Sequence, residues 1–414
     1  MKSKQSNRRG FLKGGAALAG LVAGATQSAK AQPPDSFLRP RGTSKEQIAY
    51  GERSKYVTSK REPAPGRASP DAFGLAFHIG TPLQDQVGSI TPSALHYVAT
   101  HRGAFVPEID PKEHRFMIHG MVDRPLVFTM EELMRFPSVS RCHFIECAGN
   151  RARASHKTVQ QTHGLTSNSE WTGVLLSTLL KECGVQSGGS WIMAEGAEEV
   201  KGNSSVPMTK AMDDCFVVYG QNGEPLRPQQ GFPLRLLVPG YEGIFQVKHL
   251  RRVKVVDRYY WTYNDYGHRR SEAREAAMAT VWGPKSVITS PSGAQKLAGP
   301  GSYEIRGLAW SGQGAVKSVE VSVDGGKTWK AAQMKGAATR MAHVSFGLQW
   351  NWDGKECELQ SRCTDELGSI QPSLVQAAKY WNEPMKPGYR VKGLDNPIHP
   401  WKIASDGSVT NGMA

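Results

Sequence analysis

Apolar residues along this chain fall in short runs separated by Gly- and Pro-containing turns, and the spacing within each run predicts the element it forms. Phe116-Met117-Ile118-His119-Gly120 and Arg141-Cys142-His143-Phe144-Ile145-Glu146-Cys147 are expected as strands. Thr129–Met134 and Gly173–Leu180 are expected as short helices, the second with apolar residues at helical spacing. Leu234–Val238, stopped by Pro239-Gly240, is a candidate buried strand. After Pro284 the pattern changes. Val319, Val321 and Val323 alternate with Glu320 and Ser322, and Asp324-Gly325-Gly326-Lys327 supplies a tight turn before Thr328-Trp329. Residues 90–283 therefore predict an α+β domain with a mostly β core. Residues 284–385 predict an immunoglobulin-like β-sandwich.

The ends differ in character. Residues 1–31 hold Lys2, Lys4, Arg8 and Arg9, then the apolar run 16–25, then Ala29-Lys30-Ala31, the three parts of an export signal. Asn7-Arg8-Arg9-Gly10-Phe11-Leu12-Lys13 resembles the twin-arginine (Tat) consensus, which predicts periplasmic export of a folded protein. Residues 32–89 are expected as an extended arm, Pro-, Gly- and Arg-rich at least to residue 70. The tail 386–414 has too few apolar residues to fold alone; it is expected to pack on a neighbour or fray.

Composition narrows the function classes. The chain has 414 residues, 39% hydrophobic and 21% charged, which supports real cores and excludes wholesale disorder. No apolar run is long enough for a membrane span. The formal charge of +14 falls to +8 beyond residue 31, because six basic and no acidic residues lie in the signal. That charge is scattered, so the concentrated patch a nucleic-acid role requires is missing.

One cysteine has an informative neighbourhood. Cys147 ends a predicted strand and opens Cys147-Ala148-Gly149-Asn150-Arg151, where Arg151 favours the thiolate and small Ala148 and Gly149 permit close approach of a bulky ligand. Cys142 is five residues earlier, on the opposite face of an extended strand, so the two are not expected to bridge.

The segment 147–151 resembles the molybdenum-ligand loop of the sulfite oxidase family. Gly231-Phe232-Pro233-Leu234-Arg235, Val238-Pro239-Gly240, Val247-Lys248, Asn264-Asp265-Tyr266 and Asp324-Gly325-Gly326-Lys327-Thr328-Trp329 follow in that family's order, over about residues 90–385. The resemblance implies a molybdenum–molybdopterin cofactor with its metal on Cys147, and a dimerisation domain in the sandwich. It further implies that His101, Glu198 (beside Glu199), Arg235, Gln246, Val247 and Lys248 hold the pterin and its phosphate. Gln230 stands where many relatives carry a pterin-contacting histidine, and Tyr266 matches the family's active-site tyrosine. Arg151 is taken with Cys147 and Tyr266 as catalytic.

Departures bear on substrate. Ala99, Ala152, Phe245 and the region of Leu348-Gln349 stand where sulfite oxidases carry cations that ring a dianion; Arg102, Arg151 and Arg153 are nearby candidates to compensate. This pattern resembles the molybdenum subunits of bacterial sulfane dehydrogenases of the Sox sulfur-oxidation system. There the substrate is a sulfane sulfur on a carrier protein, and a homodimer sits within a heterotetramer with a c-type cytochrome subunit. The sequence has no Cys-x-x-Cys-His haem site and no iron–sulfur cysteine run, so the electron acceptor is expected on another chain. Two other readings stay open here: a sulfite:cytochrome c dehydrogenase with rearranged arginines, and a non-catalytic periplasmic binding protein in which Cys147 is structural.

Overall fold

The computed structural model describes residues 51, 53, 54, 56–65, 77–100, 106–198, 203–262, 280–380 and 394–413. Residues 59–414 cluster into one compact unit and residues 1–58 into another, of which the described part holds a turn at Ser54–Val57.

Three sheets build the first half of the larger unit. A small antiparallel sheet joins β1 (Glu62–Pro63), β2 (Phe77–Gly80) and β3 (Val98–Thr100). The second runs β5-β4-β13-β8-β9: β4 (Phe116–Gly120), β5 (Leu126–Phe128), β8 (Trp191–Gly196), β9 (Asn203–Pro207) and β13 (Leu250–Val256). In it β13 and β4 are parallel and every other pair is antiparallel. The third runs β11-β10-β7-β6, with β12 also on β10: β6 (Ser138–Glu146), β7 (Thr166–Leu175), β10 (Phe216–Gln221), β11 (Glu224–Pro225) and β12 (Arg235–Leu237).

Helices are few and short. Helix α1 (Met130–Arg135) starts in a capping box, the Thr129 hydroxyl accepting from the Glu132 amide and the Glu132 carboxylate from the Thr129 amide. Helix α2 is Val159–His163. Helix α3 (Leu176–Cys183) starts three residues later than its apolar spacing predicts. Gly173–Leu175 instead finish β7, paired to Val218–Phe216 on β10. A Cβ on Gly173 would meet the Val217 carbonyl at 2.1 Å, so close strand packing fixes this stretch. From Leu176 onward, Leu176, Leu179, Leu180 and Cys183 form a buried stripe against Phe116, Ile118, Ile192 and Val253. Helix α4 is Met208–Asp213.

The second half is a two-sheet β-sandwich. One sheet runs β14-β15-β19-β18 and the other β17-β16-β20-β21-β22. The first contains β14 (Lys285–Ser290), β15 (Gly301–Trp310), β18 (Gln333–Lys335) and β19 (Val344–Trp352). The second contains β16 (Val316–Ser322), β17 (Lys330–Ala331), β20 (Cys357–Asp365), β21 (Trp401–Ile403) and β22 (Val409–Asn411). Alternate residues of β20 are buried, as a half-buried strand requires. Helix α5 (Leu374–Tyr380) follows the sandwich.

One terminal expectation changes, and the other resolves to one of its two alternatives. The arm expected over 32–89 is not extended at its end: Phe77–Gly80 is a paired strand, Leu83–Asp85 a 3-10 turn, and His78, Thr81 and Leu83 are buried. Gln160 locks this part in place, its side-chain amide donating to the Gly80 and Lys60 carbonyls at 2.9 and 3.1 Å. The tail does not fray. It adds β21 and β22 to the sandwich edge, with Trp401 fully buried. Its few apolar residues suffice because they complete an existing core.

The two halves share one hydrophobic cluster. Phe144, Ala148 and Val159 pack with Trp282, Val287, Trp310 and Phe346. The strand carrying Cys142–Glu146 therefore ends against the sandwich.

Candidate active site

Cys147 follows the last residue of β6, where the strand gives way to a tight loop. Its amide donates to the Leu165 carbonyl at 3.0 Å, and its carbonyl accepts from the Asn150 amide at 2.8 Å. The Gly149 amide donates to Cys147 Sγ at 3.3 Å, a contact that favours the thiolate. Buried Asn150 ties the loop both ways, donating to Glu146 Oε1 at 2.8 Å and accepting from the Leu165 amide at 3.0 Å. None of the six cysteines forms a disulfide.

Immediately behind the cysteine lies a buried ion pair. Lys285 Nζ is 2.7 Å from Glu146 Oε1, and both side chains are 0% exposed. Trp310 Nε1 donates to Glu146 Oε2 at 2.7 Å, and Lys285 donates again to the Asp395 carbonyl at 2.6 Å. Burial pushes the Glu146 carboxyl up, against the pull of Lys285 and the Asn150 and Trp310 donors. The first sandwich strand and the C-terminal tail thus meet at the base of the cysteine loop. The tail also holds the loop's far side, where Asn411 donates to the Arg153 and His156 carbonyls at 2.8 and 2.9 Å.

Cys147, 4% exposed, opens onto a cavity of about 740 Å³, counting its mouth. Seven of the candidate residues line it together: Cys147, Glu198, Gln230, Arg235, Gln246, Val247 and Lys248. Arg151 is half-buried and does not line it, because the turn after Gly149 carries the chain away; a direct catalytic contact is not supported for it. His101 and Tyr266 lie outside the described residues.

Two of the seven act differently from expectation. The Gln246 amide group is consumed by its own fold: Oε1 accepts from the Val238 amide, while Nε2 donates to the Val238 and Tyr241 carbonyls. Its side chain therefore braces the turn from Val238 to Tyr241 at the edge of the cavity. Gln230 holds Arg235, its Oε1 accepting from Nη1 at 3.2 Å, and its Nε2 donates to the Tyr97 carbonyl at 2.8 Å.

The cations are poised for an anion. Arg235 is buried in β12, reached by the carbonyls of Gln230 and Gln246 at 3.0 and 3.3 Å, and its Nε has no partner among the described residues. Its guanidinium lies 5.2 Å from the Trp171 ring centroid. Among the described residues Lys248 Nζ donates to the Ala99 and Gln229 carbonyls, at 3.2 and 3.4 Å. Burial lowers both pKa values, that of Arg235 to about 10, with Glu198 nearby opposing the shift. Arg235 remains charged at neutral pH, and Glu198 is the described carboxylate that acts on both side chains. A phosphate-bearing group fits here. Gly243 admits it near the cysteine: a Cβ there would meet the Tyr97 hydroxyl at 2.9 Å and the Glu146 carbonyl at 3.0 Å.

Sequence reasoning did not single out His96, Tyr97, Thr100, Gln229, Gly243 or Ile244, all of which line the cavity. Burial lowers the His96 pKa to about 3, so its ring is neutral. Strand alternation was the usable signal, since Tyr97 lies two residues before Ala99.

A cysteine on a tight loop, lining one cavity with Arg235 and Lys248 and backed by a β-sandwich, fits a molybdopterin oxidoreductase of the sulfite oxidase family, and this chain belongs to it. Residues 103–263 match the family described as oxidoreductase molybdopterin binding domain, and residues 278–386 the Mo-co oxidoreductase dimerisation domain. The crystal structure of the sulfane dehydrogenase SoxCD from Paracoccus pantotrophus superposes with a TM-score of 0.82 at 35% identity, covering 92% of this chain and 97% of that one. NADH nitrate reductase of Brassica napus is 38% identical over 71% of this chain, and NAD(P)H nitrate reductase of Hordeum vulgare 36% over 72%. The chain spans 37% and 36% of those two relatives' lengths. Its cofactor is molybdenum–molybdopterin, with Cys147 the residue fitted to hold the metal and Arg235 and Lys248 those fitted to hold the phosphate.

Proposed function

We propose that this chain is the molybdenum subunit of a periplasmic sulfane dehydrogenase. It oxidises sulfane sulfur bound to a cysteine of a carrier protein and passes the electrons to a c-type cytochrome subunit. The likeness to SoxCD, which covers 97% of that chain, carries this reading. Cavity chemistry supports it. Arg235 and Lys248 are the cations among the described lining residues, and both suit the cofactor phosphate. Around Cys147 the lining is Tyr97, Gly243 and Ile244, with Ala99 and Thr100 nearby along β3, all uncharged. Ala152 and Phe245 are buried away from the cavity, and Gln349 is exposed on β19. A neutral or singly charged sulfur on a flexible arm suits such a pocket better than a dianion does.

When bound, the cofactor supplies two-electron oxygen-atom transfer to sulfur. The protein's part is to fix the Cys147 thiolate through Gly149, Asn150 and Glu146, and to orient the cofactor by Arg235 and Lys248. Electrons leave to the cytochrome, and the sandwich pairs two copies of the chain inside a heterotetramer. Export by the Tat route, on Arg8-Arg9, delivers the folded, loaded protein.

The test offers purified holoenzyme with its cytochrome three substrates separately: carrier-bound sulfane sulfur, sulfite and nitrate. Cytochrome reduction by the carrier-bound sulfur alone supports the proposal. Faster reduction by free sulfite makes it a sulfite dehydrogenase, and turnover of nitrate with reduced cytochrome reverses the direction of the reaction.

A further inference from the structure

Tyr97 is 6% exposed and sits at the Cys147 end of the cavity. Every backbone group around it is engaged. Its amide accepts nothing and donates to Ser167 Oγ at 3.0 Å, while its carbonyl takes Gln230 Nε2 at 2.8 Å and His96 Nδ1 at 3.0 Å. Ser167 Oγ is in turn 2.6 Å from Thr81 Oγ1. The ring stacks on His96, with centroids 5.3 Å apart. This anchorage leaves the phenol little freedom. Its hydroxyl alone is without a hydrogen-bond partner among the described residues, although the residue is more than nine-tenths buried.

The place it occupies is chemically specific. The point 2.9 Å from the hydroxyl where Gly243 would carry a Cβ is also 3.4 Å from Cys147 Cα. Nearly buried phenols ordinarily find a partner. A hydroxyl that lines the cavity without a protein partner among the described residues, held this rigidly beside Cys147, is arranged for a group the cavity receives. We propose that the Tyr97 hydroxyl donates a hydrogen bond to the molybdenum end of the cofactor, making it a further catalytic residue contributed by the segment leading into β3. A phenol ordinarily titrates only at about pH 10. It therefore keeps its proton at neutral pH and acts as a donor.

Tyr97→Phe removes the oxygen and keeps the ring. In the holoenzyme this variant is expected to retain its molybdenum and to lose about tenfold in kcat with a smaller change in KM, the size of one lost hydrogen bond. Its Mo(V) EPR signal, generated with a chemical reductant and no substrate, is expected to lose a proton coupling that the parent enzyme exchanges in D2O. That spectrum reports on the hydroxyl whatever the physiological substrate proves to be. Tyr97→Leu serves as the control for packing. The proposal is overturned if Tyr97→Phe keeps the parent spectrum in both solvents and a kcat within twofold. It is equally overturned if Tyr97→Phe loses its molybdenum as Tyr97→Leu does, since the tyrosine then acts in retention.

Discussion

Replacing Lys285 with Met tests how the sandwich supports the cysteine loop. The substitution preserves length and apolar volume but removes the cation that faces Glu146 at 2.7 Å, with both partners fully buried. Removing one member of a buried pair typically costs about 3–5 kcal/mol, because the other charge is stranded in a low dielectric. The Asp395 carbonyl loses its donor as well. At roughly 2–4 °C per kcal/mol for domains of this size, the thermal midpoint should fall by about 6–20 °C. The penalty depends on pH. Without Lys285 only the Asn150 and Trp310 donors oppose the burial that already raises the Glu146 carboxyl, so the folded state shifts further toward its protonated form. An acid whose pKa is higher folded than unfolded loses stability as pH rises between the two values. The gap between Lys285→Met and parent should therefore be smaller at pH 5 than at pH 8. Adding Glu146→Gln removes the stranded charge while leaving an oxygen for Asn150 or Trp310, and should recover about 2 kcal/mol. Denaturation of the three proteins at both pH values decides it. A loss below about 1 kcal/mol, an equal loss at pH 5 and pH 8, or no recovery in the double variant refutes the reasoning.

Arg235→Gln removes a buried cation held by the Gln230 and Gln246 carbonyls and the Gln230 side-chain oxygen, and charge-assisted hydrogen bonds of about 1.5–3 kcal/mol are at stake. Cofactor retention should fall by roughly 10- to 100-fold, measured as pterin and molybdenum per chain after dialysis; full retention would remove Arg235 from the phosphate site. Gly243→Val places a side chain 2.9–3.4 Å from the Tyr97 hydroxyl, the Glu146 carbonyl and Cys147 Cα. Molybdenum content should drop while the thermal midpoint moves by less than that of Lys285→Met, and unchanged metal content would show that the space beside Cys147 is not needed.

Much of this architecture is legible in the sequence because it rests on local alternation. The strand at Phe116–Gly120 and the sandwich strand around Val319 and Val321 announce themselves by side-chain period, while the strand expected over 141–147 spans 138–146 and ends in a buried run. The start of α3 does not, since apolar spacing at Val174-Leu175-Leu176 serves a strand end and a helix equally well. Glu198, Gln230, Arg235 and Val247-Lys248 gather around Cys147 as the family's motif order implies. Lys285 is a different case. A lysine in a polar-looking sequence reads as solvent-facing, and only folding across 139 positions turns it into the buried partner of Glu146. The tail is similar: its three-residue strands carry little signal alone and gain their stability from the β20 edge. Tyr97 and Gly243 were missed because an aromatic residue and a glycine have many structural uses, and only the cavity separates these from the rest.

The central claim is the bond between Cys147 and molybdenum, and X-ray absorption at the molybdenum K-edge reads it directly. Holoenzyme should show one more sulfur neighbour than a Cys147→Ser variant that still folds and still contains molybdenum and pterin. An identical sulfur shell in the two proteins would contradict the account.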